Sequence, residues 1–235
     1  MRDDRLAVID NMELIADLLI SEGKFEDAQE YVKGMKYELK AIGQQSCRAN
    51  LLELEILLHM HEKGKIRELI QTTKNTIDKK DVDNLIRLKL IEASLSLEDG
   101  DADRTLGLAN DVLKLITKNK TENTEGKIQA FLLNARAHEK KGKYSEAIMA
   151  AEEVRRILQD REFYAGMADM LAVIGDLYVK MDNFEKASDY FYRAGVAQQI
   201  QNLNESSTNN LKKALLYAEK TGNNELINIV KSCVK

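Results

Sequence analysis

Proline and tryptophan are absent from this 235-residue chain, and cysteine occurs only twice. Without proline, helices can run uninterrupted and every connection must rely on other turn residues. Aromatic residues make up 6%, so Ala, Leu and Ile must fill the core, which suits helix-on-helix packing better than a sheet sandwich. Cys47 and Cys233 form neither a CxxC nor a Cys/His pattern, and they read as buried or half-buried thiols in a reducing compartment. No run approaches the ~20 apolar residues of a membrane span. The charged start Met1-Arg2-Asp3-Asp4-Arg5 lacks the roughly 7–15 apolar residues of a signal peptide. The expected location is therefore cytoplasmic, with no membrane span. Acidic residues slightly outnumber basic ones and the net charge is −4, so nucleic acid is not expected as a partner.

Against these absences stands a recurring punctuation. Gly23-Lys-Phe-Glu-Asp-Ala28 returns as Gly142-Lys-Tyr-Ser-Glu-Ala147 and as Asp182-Asn-Phe-Glu-Lys-Ala187, with weaker echoes beginning at Gly64, Gly100 and Gly222. The starting points are separated by 41, 36, 42, 40 and 40 residues. Ahead of each mark runs an apolar stripe at helical spacing, such as Leu14, Ile15, Leu18 and Leu19, or Met170, Leu171, Ile174, Leu177 and Tyr178. Gly, Asn or Asp can then take the left-handed conformation that ends a helix, and the polar and acidic residues that follow suit a helix start. Each unit therefore reads as a helical hairpin. Small residues recur seven before the mark (Ala16, Ala93, Ala135, Gly175) and alanine recurs five after it (Ala28, Ala147, Ala187), where two helices must cross closely.

The stretch Leu171-Ala-Val-Ile-Gly175-Asp-Leu-Tyr178 with Phe184, Ala187, Phe191 and Ala194 resembles a tetratricopeptide (TPR) unit. It lacks the tryptophan often found at Leu171 and the proline after the second helix. The period near 40 residues is similar to that of a longer-helix TPR subgroup. The resemblance implies an all-α fold: a right-handed solenoid of about six helix-turn-helix repeats and about twelve antiparallel helices. The repeats are expected near 5–42, 45–80, 83–118, 125–160, 164–202 and 204–235, forming one array over 1–235. First helices are expected near 5–22, 45–63, 83–99, 125–141, 164–181 and 204–221; second helices near 24–42, 65–79, 102–118, 144–160, 184–202 and 224–234. Residues 118–126 are the clearest loop between repeats.

Catalytic machinery is not evident. His59 and His61 lie about 200° apart around a helix and cannot share a metal; His138 is isolated, and the twelve glycines form no phosphate cradle. No enzyme activity, metal or cofactor is expected. By the resemblance, the first helices line a concave groove that binds a peptide or helix of another protein. Carried over residue by residue, the partner-binding candidates are Asp17, Leu54, Leu58, Arg87, Leu90, Arg136, Lys140, Asp176 and Lys180. The leucines read first as core, which a one-residue change of register gives, and otherwise as an exposed docking patch. The expected function is a protein-interaction scaffold or adaptor. Its alternatives are the sensor portion of a transcription regulator or signalling protein, or an adaptor similar to the SNAP type of membrane fusion. A terminal repeat could also support a homodimer.

Overall fold

The computed structural model describes residues 2–233. Twelve helices follow one another: α1 (Arg2–Ser21), α2 (Phe25–Ala41), α3 (Cys47–His59), α4 (Lys63–Thr76), α5 (Val82–Glu98), α6 (Ala102–Asn119), α7 (Thr124–Lys140), α8 (Tyr144–Asp160), α9 (Tyr164–Lys180), α10 (Phe184–Ile200), α11 (Asn204–Thr221) and α12 (Asn224–Cys233). They pair into six helical hairpins, and no strand occurs among the described residues. The last predicted position of α12, Val234, and the terminal Lys235 lie outside them.

One backbone device builds the turns. At the end of each first helix a residue takes positive φ: Gly23, His61, Gly100, Gly142, Asp182 and Gly222. In four of these turns a paired hydrogen-bond pattern satisfies the last carbonyls of the helix. Asp182 N–H donates to Val179 O at 3.0 Å and Asn183 N–H to Tyr178 O at 3.0 Å. The same pairs occur after Gly23, His61 and Gly142. Side-chain caps then start some of the next helices, as when Asn183 accepts from the Lys186 N–H at 3.2 Å.

The second hairpin corrects the sequence reading. Its turn residue is His61, with φ 59°, whereas Gly64 lies inside α4. Glu62 N–H donates to Leu57 O and His61 N–H to Leu58 O, closing α3 three residues earlier than expected. Histidine is among the residues that tolerate this backbone region, and a glycine in a helix costs only about 1 kcal/mol, so the glycine misplaced the mark. Three residues amount to about 300° of helix rotation. With the mark at His61, the crossing position seven residues earlier is Leu54 and the position five residues later is Ile66. Both are fully buried, like Ala16 and Ala28 of the first hairpin.

The described chain divides into two compact units. Unit one holds the residues through Asp99 together with Asp111–Gly126, and unit two holds Gly100–Asn110 with the residues from Lys127 onward. Each is a helical repeat solenoid in which hairpins stack on their neighbours. In unit one, Ile9 and Ala16 of α1 pack with Val32 and Met35 of α2 and with Leu52 and Ile56 of α3. A second cluster joins Leu51 and Leu54 of α3 to Ile66 and Ile70 of α4 and Leu88 and Ile91 of α5. In unit two, Ala135, Ala150, Ala151 and Ile174 bring α7, α8 and α9 together, and Ala187, Phe191, Ala214 and Val230 do so for α10, α11 and α12. Glycine permits the closest approaches. A Cβ on Gly175 would stand 3.0 Å from the Phe191 ring, and one on Gly195 would stand 2.7 Å from Leu211 Cγ.

Candidate functional site

The first helices of the hairpins are α1, α3 and α5 in unit one and α7, α9 and α11 in unit two. On each, the positions thirteen, ten, six and two or three residues before the left-handed residue form a stripe that is mostly exposed or half-buried, although Leu51 of α3 at the second of these positions is buried against α4.

In unit one this stripe is an ion-pair ladder. Arg48 of α3 pairs with both Asp10, at 3.0 Å, and Glu13 of α1. Arg87 of α5 donates to Glu55 of α3 at 2.6 Å and to Asp17 of α1 at 3.2 Å. Helices in contact lie about 8–10 Å apart, so in a flat row α1 and α5 would be nearly twice that distance from each other. An Arg87 that reaches both α3 and α1 shows that α3 is set back and that this face of unit one is locally concave. Burial works against the Arg87 charge, but the hydrogen bonds and charges of Glu55 and Asp17 outweigh it and hold its pKa above the ordinary arginine value. Of the residues expected here, Asp17 and Arg87 are brought together, while Leu58 and Leu90 lie half-buried on the stripe. Leu54 is 0% exposed within the α3–α4–α5 core. It is not a surface residue, because the true turn at His61 rotates it inward. Arg48 and Glu55, which the sequence reading missed, occupy the positions that open as a result.

Unit two is less closed on itself. Lys180 of α9 donates to Glu139 of α7 at 2.5 Å, and that hydrogen bond raises its pKa. Lys213 of α11 pairs with Asp176 of α9 at 3.1 Å. Asp176 and Lys180 thus tie neighbouring first helices together. Lys140, Lys180 and Lys220 stand in register two residues before successive turns, and Lys220 lies over the rings of Phe184 and Tyr217 at 4.9 and 5.0 Å. Arg136 of α7 and Lys212 of α11 are exposed and have no hydrogen bond or ion pair among the described residues. On the same helices, Val173 of α9 and Leu216 of α11 are 39% and 50% exposed. A shallow depression lined by Asn204, Glu205, Thr208, Asn209 and Lys212 follows the first half of α11. The arrangement offers two free cations and two apolar side chains on rigid helices.

The histidines serve packing and turns. His59 stacks on Phe25 with ring centres 5.0 Å apart, His61 makes the α3–α4 turn, and half-buried His138 has its pKa lowered by desolvation. Among the described residues no group of three or more His, Cys, Asp or Glu is placed to hold a metal ion, and no helix is long and apolar enough to cross a membrane. Both cysteines are free and half-buried, and burial pushes the Cys47 thiol up.

Residues 168–194 match the sequence profile of the family described as Tetratricopeptide repeat. No curated protein is similar enough in sequence to match. Among solved structures, BtubC (BKLC) from P. vanneervenii is similar with a TM-score of 0.64 and 15% identity, over 100% of this chain and 89% of that one. A signal transduction ATPase with numerous domains and a tetratricopeptide repeat sensor, from Pyrococcus horikoshii, is similar with a TM-score of 0.67 and 14% identity. That likeness covers 95% of this chain and 36% of the ATPase. PilF of Pseudomonas aeruginosa is similar with a TM-score of 0.63 and 12% identity, over 97% of this chain and 90% of that one.

Proposed function

We propose that this chain, a helical repeat whose residues 168–194 match the Tetratricopeptide repeat profile, is a protein-interaction scaffold that binds a segment of a partner protein across α7, α9 and α11. The observation that carries this reading is that Arg136 of α7 and Lys212 of α11 are exposed cations without an ion-pair partner among the described residues, on a set of helices that also exposes Val173 and Leu216. A segment that carries both acidic and apolar side chains complements both kinds of group. On the face of unit one, by itself, the arginines are already engaged by Asp10, Glu13, Asp17 and Glu55. Lys140 edges the same surface, with Asp176 and Lys180 shaping it through their own ion pairs.

The test begins with affinity capture from the native lysate and proceeds to titration of labelled peptides from a recovered partner. Arg136→Glu and Lys212→Glu each reverse a charge at an exposed position, so folding is retained and affinity is expected to fall about tenfold or more, as for a lost charge pair of ~1.5 kcal/mol. Unchanged affinity in both folded variants would show that the segment lies elsewhere. A second reading, the sensor portion of a signalling protein, is favoured by the likeness to the tetratricopeptide repeat sensor of the archaeal ATPase. An effector domain encoded in the same reading frame would establish it.

A further inference from the structure

The first helix is apolar on two opposite sides. Ile9 and Ala16 face the core, while Ala7, Val8, Asn11, Leu14, Ile15 and Leu18 are all exposed. At 100° per residue these six fall within about 120° of arc, on the side away from Ile9 and Ala16. Five of them are apolar, and Asn11 stands at the centre of the stripe. Leu14 is 68% exposed and Leu18 57%. Four large apolar side chains are exposed on α1, and no other helix among the described residues exposes more than two. A surface helix is normally polar on this side, so the stripe calls for a covering partner.

Its place in the repeat says what kind of surface it is. Leu18 stands five residues before the turn, where four of the other hairpins have Ile56, Leu95, Ala137 and Leu177, all buried, and the last has half-buried Tyr217. Ile15 stands eight before it, where unit two has Ile174 and Ala214, both buried. The stripe on α1 is therefore a helix-packing surface of the type that the rest of the chain covers.

We infer that a second copy of this chain covers it, through a parallel pairing of α1 with α1 of the partner about a two-fold axis. Three observations favour that occupant. The positions Ala7, Asn11, Leu14 and Leu18 alternate by four and three, the seam spacing of a coiled coil, with leucine at 14, a polar residue at 11 and exposed Asp4 ending the seam at the start of the helix. A two-fold axis along the helices sets each of them against its own copy. The Asn11 amide, which has no hydrogen-bond partner among the described residues, then meets a twin that offers both a donor and an acceptor. The acidic residues at the rim, Asp10 and Asp17, are neutralised within their own chain by Arg48 and Arg87, so two copies of the rim can approach. Among the described residues the last hairpin exposes only Leu216 and Ile229 as large apolar side chains, set among exposed Lys212, Glu219, Asn228 and Lys231, against four on α1, and Lys231 pairs with Glu219 at 3.7 Å. Closed two-fold dimers are also the commonest symmetric assembly. One helix pair falls in the class of small interfaces under about 1,200 Å², and a dissociation constant on the order of ten micromolar is expected.

Sedimentation equilibrium over roughly two decades of concentration around that constant tests the assignment. The mass is expected to rise from 26.7 kDa toward twice that value. Leu14→Glu, alone or with Leu18→Glu, places charge at positions exposed in the single chain, so its circular dichroism stays unchanged while association weakens on the order of 100-fold. On a Cys47→Ser, Cys233→Ser background, Leu14→Cys alone is expected to form a disulfide-linked dimer, because parallel pairing sets residue 14 against its own copy. A chain that stays monomeric throughout, a dimer that Leu14→Glu leaves intact, a dimer that Leu14→Cys cannot link, or growth beyond the dimer would each overturn the assignment.

Discussion

Replacing Gly195 by alanine sets a local gain against a tertiary loss, and the structure decides the sign. Gly195 lies well inside α10, where alanine is worth about 1 kcal/mol more than glycine in helix propensity. Its new Cβ would stand 2.7 Å from Leu211 Cγ, 2.9 Å from Leu211 Cδ2 and 3.2 Å from the Leu211 backbone nitrogen. Helix α11 cannot simply withdraw, because buried hydrogen bonds tie it to α10 around this point. Ser207 Oγ donates to Gly195 O at 2.8 Å, Asn210 Nδ2 to Gln198 Oε1 at 2.8 Å, and Ser188 Oγ to Ala214 O at 2.8 Å. Overpacking costs about 1–3 kcal/mol, and stretching such bonds costs about 0.5–1.5 kcal/mol each. The balance is a loss of about 2 kcal/mol. For a chain of this size each kcal/mol moves Tm by about 2–4 °C, so Gly195→Ala should melt about 4–8 °C lower by far-ultraviolet circular dichroism. Gly107→Ala in α6 is the control: its Cβ meets nothing within 4 Å, so only the propensity gain of about 1 kcal/mol remains and Tm should rise. Tyrosine emission localises the effect, since Tyr144, Tyr164, Tyr178, Tyr190, Tyr192 and Tyr217 lie in unit two and only Tyr31 and Tyr37 in unit one. If Gly195→Ala stabilises as Gly107→Ala does, the close approach of α10 and α11 is refuted.

Leu54→Ala is expected to cost about 2–5 kcal/mol, as for a fully buried leucine, and half-buried Leu58→Ala less than half of that. Equal losses in urea unfolding would contradict the register set by His61. Glu162 carries φ 56°, and relieving a left-handed side chain recovers about 1–2 kcal/mol, less about 0.4–1 kcal/mol for the added freedom of the unfolded glycine. Glu162→Gly should therefore raise Tm slightly, whereas Gly142→Ala, at φ 69°, should lower it. Tyr190 Oη donates to Glu152 at 2.9 Å; burial first, and then Glu152, push its pKa up to about 12. Because the folded value lies above the unfolded one near 10, this contribution to stability is complete below pH ~10 and is lost as pH rises toward ~12. In a spectrophotometric phenolate titration Tyr190→Phe should remove a late step, and Glu152→Gln should move it to lower pH.

Much of the architecture was legible in the residues themselves. Helical spacing of apolar side chains and the small residues at Ala16, Ala135 and Gly175 specify hairpins that cross closely, because both depend on local geometry and side-chain volume. The turn marks at Gly23, Gly100, Gly142, Asp182 and Gly222 were equally local, since the left-handed backbone favours those residue types. Within the candidate site, the charges Asp17, Arg87, Arg136, Lys140, Asp176 and Lys180 were placed on the first helices by counting back from these marks.

The tertiary structure decided three matters. It chose His61 over Gly64 as the turn, because burying Leu51, Leu54 and Leu57 together outweighs the modest preference of a glycine for one position over another, and that choice moved Leu54 from surface to core. It decided which charges are spent: Arg87 is consumed by Glu55 and Asp17 of two other helices, and Lys180 by Glu139, while Arg136 and Lys212 are left free. It also separated the apolar residues of α1 into a covered side and an open one. Sequence spacing marks α1 as apolar on both sides, but which side meets α2 and α3 depends on contacts between residues far apart in the chain.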